Sequence, residues 1–96
     1  MDQNRQISVD SAELRALAGE LSKLASSIAD TAAALDRGLD HLGTTFGGDD
    51  YNQFREVYRK SRHKLLEFVT ETRKLAPLLR QDADAVDRAK AVNLGG

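Results

Sequence analysis

The chain has no cysteine, no tryptophan, a single proline and only 5% aromatic residues over its 96 positions. Without cysteine there is no disulfide staple and no thiol chemistry, although this leaves the compartment open, since secreted and cytoplasmic proteins alike can lack it. No stretch approaches the roughly 20 apolar residues that span a bilayer. The polar start from Met1 to Asp10 lacks the apolar centre of a secretory signal, so any export is expected to follow another route. A net charge of -1 argues against broad affinity for nucleic acid or acidic membranes. That charge is unevenly shared: residues 1–48 hold seven acids and four bases, net -3, while 49–96 hold eight acids and ten bases, net +2.

What is present is 41% hydrophobic and 30% charged, a balance that fits one ordered, soluble domain. Alanine and leucine dominate the apolar set, which favours helices and makes strands unexpected anywhere. So short a chain buries a smaller fraction of its surface than a larger domain does, and it has neither disulfides nor a cluster of metal-ligand residues to compensate. Its stability is therefore expected to come partly from association.

Asp10-Ser11-Ala12-Glu13 reads as a capping box that opens a helix. From it, Leu14, Leu17, Leu21, Leu24, Ile28, Thr31, Leu35, Gly38 and Leu42 step by alternating threes and fours. This heptad spacing draws one seam along a helix face, widened on one flank by Ala18, Ala25, Ala32 and Leu39. Arg15, Glu20, Lys23, Ser26, Asp30 and Arg37 fall on the opposite, solvated face. Three glycines within Gly43 to Gly48 stop the helix and turn the chain. Asp49 and Asp50 then start a second helix, where two carboxylates suit a cap and the positive end of the helix dipole. Along it Tyr51, Phe54, Tyr58, Ser61, Leu65, Phe68, Thr72, Leu75, Leu79, Asp82 or Ala83, and Val86 repeat the threes and fours. Pro77 removes a backbone donor and crowds the carbonyl of Arg73, which predicts a kink near Lys74 to Pro77.

The fold class expected is thus all-α: one helical-hairpin domain with a first helix over about 11–42, a turn at 43–49, and a second helix over about 50–92, ahead of a frayed Asn93 to Gly96 tail. Each helix would be on the order of 45 to 60 Å long in a structure only two helices thick. Two paired helices cover only part of each other's apolar faces, and pairing of two hairpins into a dimeric four-helix bundle would cover the rest. Leu14, Leu17, Leu21, Leu24, Ile28, Leu35, Leu65, Phe68, Leu75 and Leu79 are the residues expected to carry that partner contact.

This layout resembles the WXG family, the small helical hairpins of type VII secretion systems, from Ile7 to about Val92. In that family a Trp-any-Gly turn joins two long antiparallel helices. Here Phe46-Gly47-Gly48 stands in its place, with Phe46 for the tryptophan and Gly48 matching the glycine. The aromatic that such proteins tend to carry in the first turns of the second helix falls on Phe54, with Tyr51 and Tyr58 on the same side. Many secreted members also carry a tyrosine followed four residues later by Asp or Glu near the end of the second helix, read by the motor ATPase. Tyr51 is instead followed by Arg55 and Tyr58 by Arg62, and the equivalent region holds Val86 and Lys90. The resemblance therefore implies a secreted substrate or co-secreted partner whose export signal comes from another chain, or a targeting partner of an effector that stays inside. Its implied partners are a second copy of itself, another WXG-like protein or a helical toxin domain, together with the secretion motor ATPase.

Several residue groups admit sharper readings, and most have a plainer one. Phe54, Tyr58 and Phe68 lie on the seam and read as core packing, where a tyrosine hydroxyl needs a partner; Phe46, on the turn, reads equally as a docking aromatic. Arg55, Arg59, Lys60, Arg62 and Lys64, beside His63, could meet an anionic surface, but they spread around the helix and read as a solvated face paired with Glu56, Glu67 and the acidic first helix. His41 and His63 sit in no ligand pattern, so no metal or other cofactor is expected. Asp36 and Asp40 read as an exposed helix end. There is no nucleophile motif, and Gly43 to Gly48 lacks the Lys and Ser/Thr of a phosphate-binding loop, so the chain reads as a non-enzyme. The alternative to a secretion role is a cytoplasmic helical adaptor or chaperone that holds a partner helix in the same groove.

Overall fold

The computed structural model describes residues 10–45 and 47–95, with side chains as far as Val92. Phe46, Ile7 and the rest of the polar lead through Val9 lie outside the described residues. Two helices make up nearly everything described: α1, Ser11–Thr45, and α2, Asp49–Gly95. No strand occurs among the described residues, and the chain is an all-α helical hairpin.

Local chemistry explains the helix ends. Asp10 caps α1: its Oδ1 accepts from the amide of Ala12 at 2.9 Å, and its carbonyl accepts from Leu14 at 3.1 Å. At the other end α1 runs through Gly43 to Thr45, where the Thr44 hydroxyl donates to the carbonyl of His41 at 2.7 Å and that of Thr45 to Leu42 at 3.4 Å. These side chains supplement the carbonyls that a helix end leaves unpaired. Gly48 carries the turn into α2 with φ of 130°, in a region that side chains rarely adopt, and its carbonyl accepts the first helical bond, from Asn52 at 3.1 Å. Asp49 and Asp50 then occupy the first turn of α2, where their charge complements the helix dipole. Pro77 lies inside α2, which stays helical to Gly95, into the Asn93 to Gly96 stretch that the sequence suggests as a tail; no proline or glycine stands between the two.

The chain divides into two compact units, one of Leu24–Glu71 and one of Met1–Lys23 with Thr72–Gly96. In the first, the end of α1 and the start of α2 run antiparallel: Tyr51 reaches back to Leu39, and Tyr58, two turns further along α2, to Ala32. The buried residues of this unit are Ala25, Ala32 and Leu39 from α1 and Val69 from α2. In the second unit they are Ala18 from α1 and Thr72, Ala76 and Ala83 from α2. Seven-residue spacing thus recurs within each helix, but mostly on alanines, with Leu39 and Val69, rather than on the seam leucines Leu17, Leu24, Leu35 and Leu42. Alanine lets two helix backbones come close, so the internal contact forms along that row.

The leucine seam consequently lies to one side of the helix contact. Leu17, Leu24, Leu35 and Leu42 are exposed, whereas Leu14, Leu21 and Ile28 are half-buried. On α2 the predicted stripe through Phe68 and Leu75 falls one residue short of the buried row Val69, Ala76 and Ala83, a rotation of about 100° on a helix.

Candidate partner-binding faces

The unit of Leu24–Glu71 has two unlike sides, one on each flank of its buried row. On the polar side α2 presents Tyr58 and Arg62 to Asp36 of α1. The Tyr58 hydroxyl donates to Asp36 Oδ1 at 2.8 Å and lies 3.1 Å from the carbonyl oxygen of Ala32. Arg62 binds the same carboxylate, its Nε at 2.9 Å from both oxygens and its Nη2 at 2.9 Å from Oδ2. This guanidinium, and after it the Tyr58 hydroxyl, hold the Asp36 carboxyl below its ordinary range. Burial, and then the neighbouring carboxylate, push the Tyr58 hydroxyl up. An open cleft of about 300 Å³ lies over this cluster, lined also by Leu39, Asp40, Arg55 and Arg59.

Near the turn the Tyr51 hydroxyl donates to the carbonyl of Leu39 at 2.7 Å. Gly43 gives it room, for a Cβ there would stand 2.6 Å from that hydroxyl oxygen. Both tyrosine hydroxyls therefore have the partners that their positions require, and no buried side-chain polar atom among the described residues is orphaned. Elsewhere in the basic run Arg59 pairs along α2 with Glu56, and His63 beside it with Glu67 at 2.7 Å.

The other side is apolar. Ser27, Ile28, Thr31, Ala32 and Leu35 of α1 and Leu65 of α2 line a shallow groove of about 170 Å³. Leu24 beside it is 44% exposed, and Leu65 in its wall is 40% exposed. Phe54 at 60% and Phe68 at 47% are exposed as well, so the expected packing of these two rings in a core does not occur within the chain. Large rings would hold apart the helices that alanines bring together, and they sit outside the contact. Tyr58 alone of the three turns inward, anchored through its hydroxyl.

In the other unit Arg15 of α1 bridges two carboxylates of α2, Asp84 at 2.7 Å and Asp87 at 2.8 Å. Ser11 first and Arg15 second lower the Asp87 carboxyl. Leu17, Leu75 and Leu78 are exposed here, with Leu79 half-buried. The cluster of Asp36, Tyr58 and Arg62 and the fork at Arg15 had no local signal in the sequence, since each joins residues more than twenty positions apart.

The expected turn motif is described only in part: Gly47 and Gly48 lie between the helices, Phe54 is exposed on the second turn of α2, and Phe46 is outside the described residues. Among the described residues no three His, Asp or Glu side chains gather as metal ligands, and no helix is long and apolar enough to cross a membrane.

A two-helix hairpin that keeps its largest apolar side chains outside its own contact has the character of an interaction protein. The model of the WXG100 family, described as proteins of 100 residues with WXG, matches residues 6–90, and the chain belongs to that family. No curated protein and no solved structure matches it. WXG100 proteins are small, non-enzymatic helical proteins secreted by type VII systems, and they typically pair with other WXG proteins; membership associates this chain with that secretion machinery.

Proposed function

We propose that this chain is a type VII secretion substrate, co-secreted partner or targeting partner of an effector, and that it works by covering its exposed apolar faces with those of a second helical hairpin. The observation that carries the reading is the position of the leucines: Leu17, Leu24, Leu35, Leu65 and Leu75, with Phe68, remain exposed although the chain is already folded around its alanines. Leaving such residues in water forfeits roughly 25 cal/mol per Å² that burial against a partner recovers. Leu14, Leu21, Ile28 and Leu79, half-buried at the edge of the same faces, would complete the contact. The partner is another copy, another WXG-like chain or a helical toxin domain. The lack of a tyrosine-based signal at the end of α2 favours export as part of a pair.

Light scattering of the purified chain, with circular dichroism over a dilution series, tests the pairing. A helical species near twice 10.5 kDa supports self-association, and a monomer assigns the partner to a different chain. The secretion role is tested by deleting the system's motor ATPase in the native host. The chain, or the effector that it targets, should then disappear from the culture supernatant and remain in the cells; unchanged export of both would remove the proposal.

A further inference from the structure

Four exposed charges share one edge of α2: Lys60 and Lys64, four residues apart, and Glu67 and Glu71, again four apart. At about 100° per residue they fall within an arc of about 60°, on the opposite side of the helix from buried Val69. The exposed apolar stripe of Phe54, Val57, Leu65 and Phe68 borders this arc. Glu67 binds His63 at 2.7 Å, while Lys60 and Lys64 make no ion pair among the described residues. Along the edge the order is basic, basic, acidic, acidic, and its midpoint falls between Leu65 and Leu66. Read in reverse, the edge is its own complement. Antiparallel copies would set each lysine against a glutamate, whereas parallel copies would set like charge on like.

We infer that Lys60, Lys64, Glu67 and Glu71 select a second copy of this chain as the partner and fix its direction. The two copies lie antiparallel about a two-fold axis beside Leu65, with Lys60 of each meeting Glu71 of the other and Lys64 meeting Glu67. This rests on the reading that a second helical hairpin covers the apolar faces. Apolar contact supplies affinity without naming a partner, and the charged edge adds the choice. A two-fold axis lays the same edge of both copies side by side, so each lysine-glutamate contact occurs twice. Lysine suits the border of an apolar stripe, since its hydrocarbon stem can lie along the contact while the ammonium reaches across. A chain of different sequence gains these contacts only by carrying the same complement in the same register.

The test measures self-association of the full chain by analytical ultracentrifugation in low salt, with circular dichroism of every variant. The wild type should sediment as a helical dimer. K60E/K64E makes the edge wholly acidic and E67K/E71K makes it wholly basic. Each should self-associate about tenfold or more weakly, because four surface contacts change from attraction to repulsion. An equimolar mixture of the two should pair, and K60E/K64E/E67K/E71K should regain wild-type self-association. Added salt should narrow the gap between the wild type and the double variants. Self-association of both double variants at wild-type strength would overturn the inference and leave the apolar pairing in place. A monomeric wild type would overturn it by assigning the partner to a different chain. So would helical double variants that stay unpaired when mixed. Should a double variant unfold, the fourfold variant decides, since a helical but monomeric K60E/K64E/E67K/E71K overturns the inference by itself. A wild-type dimer that Leu24→Glu leaves intact would remove the apolar-face reading and the inference with it.

Discussion

Adjacent positions on α1 should respond oppositely to the same new charge. Ala25 is 0% exposed within its helix pair, while Leu24, one residue earlier, is 44% exposed. Ala25→Glu forces a carboxylate into a contact sized for a methyl group, with overpacking and an unpaired buried charge together worth several kcal/mol. Against a total stability of about 5–15 kcal/mol, that change removes much or all of the fold. Leu24→Glu instead forfeits part of the roughly 1.5–3 kcal/mol available from fully burying a leucine, which is about 1 kcal/mol in the chain alone, and it places its charge in water. Urea melts followed by circular dichroism should put the midpoint of Ala25→Glu far below that of Leu24→Glu, with the latter still helical. Light scattering should show Leu24→Glu losing any partner-bound mass. Equal destabilisation by the two changes at high dilution would refute the assignment of alanines to the internal contact and leucines to the outer one.

Other expectations follow from single contacts. Tyr58→Phe removes a hydroxyl that serves Ala32 and Asp36, and should lower the urea-unfolding free energy by about 0.5–1.5 kcal/mol. Asp36 and Asp87 have folded pKa values below their unfolded ones, so their contribution is present above about pH 4 and is lost as pH falls through the depressed folded values. Melts from pH 5 to pH 2 should show this loss, and Arg62→Gln should flatten the Asp36 share. Gly48→Ala places a side chain at φ of 130° and should cost about 1–3 kcal/mol in the same assay, without changing helix content at low denaturant. Gly43→Ala should gain little in the wild type because the new methyl displaces the Tyr51 hydroxyl, whereas in a Tyr51→Phe background it should recover the roughly 1 kcal/mol of helix propensity that alanine holds over glycine.

The sequence by itself determined the helices and the turn. Alanine and leucine at heptad spacing, Asp10 before Ala12, and glycines around residue 47 are local signals, each acting within a few residues. The presence of an apolar surplus was also legible, because the count of leucines at threes and fours exceeds what two helices can cover. Tertiary structure alone decided which residues make the internal contact. Hydrophobicity ranks Leu24 and Phe68 above Ala25 and Val69, but close packing of two backbones selects the smaller side chains and turns the larger ones outward. The same holds for Asp36 with Arg62 and for Arg15 with Asp84 and Asp87. Each pair lies far apart along the chain, and only the register of α2 against α1 brings the charges within reach.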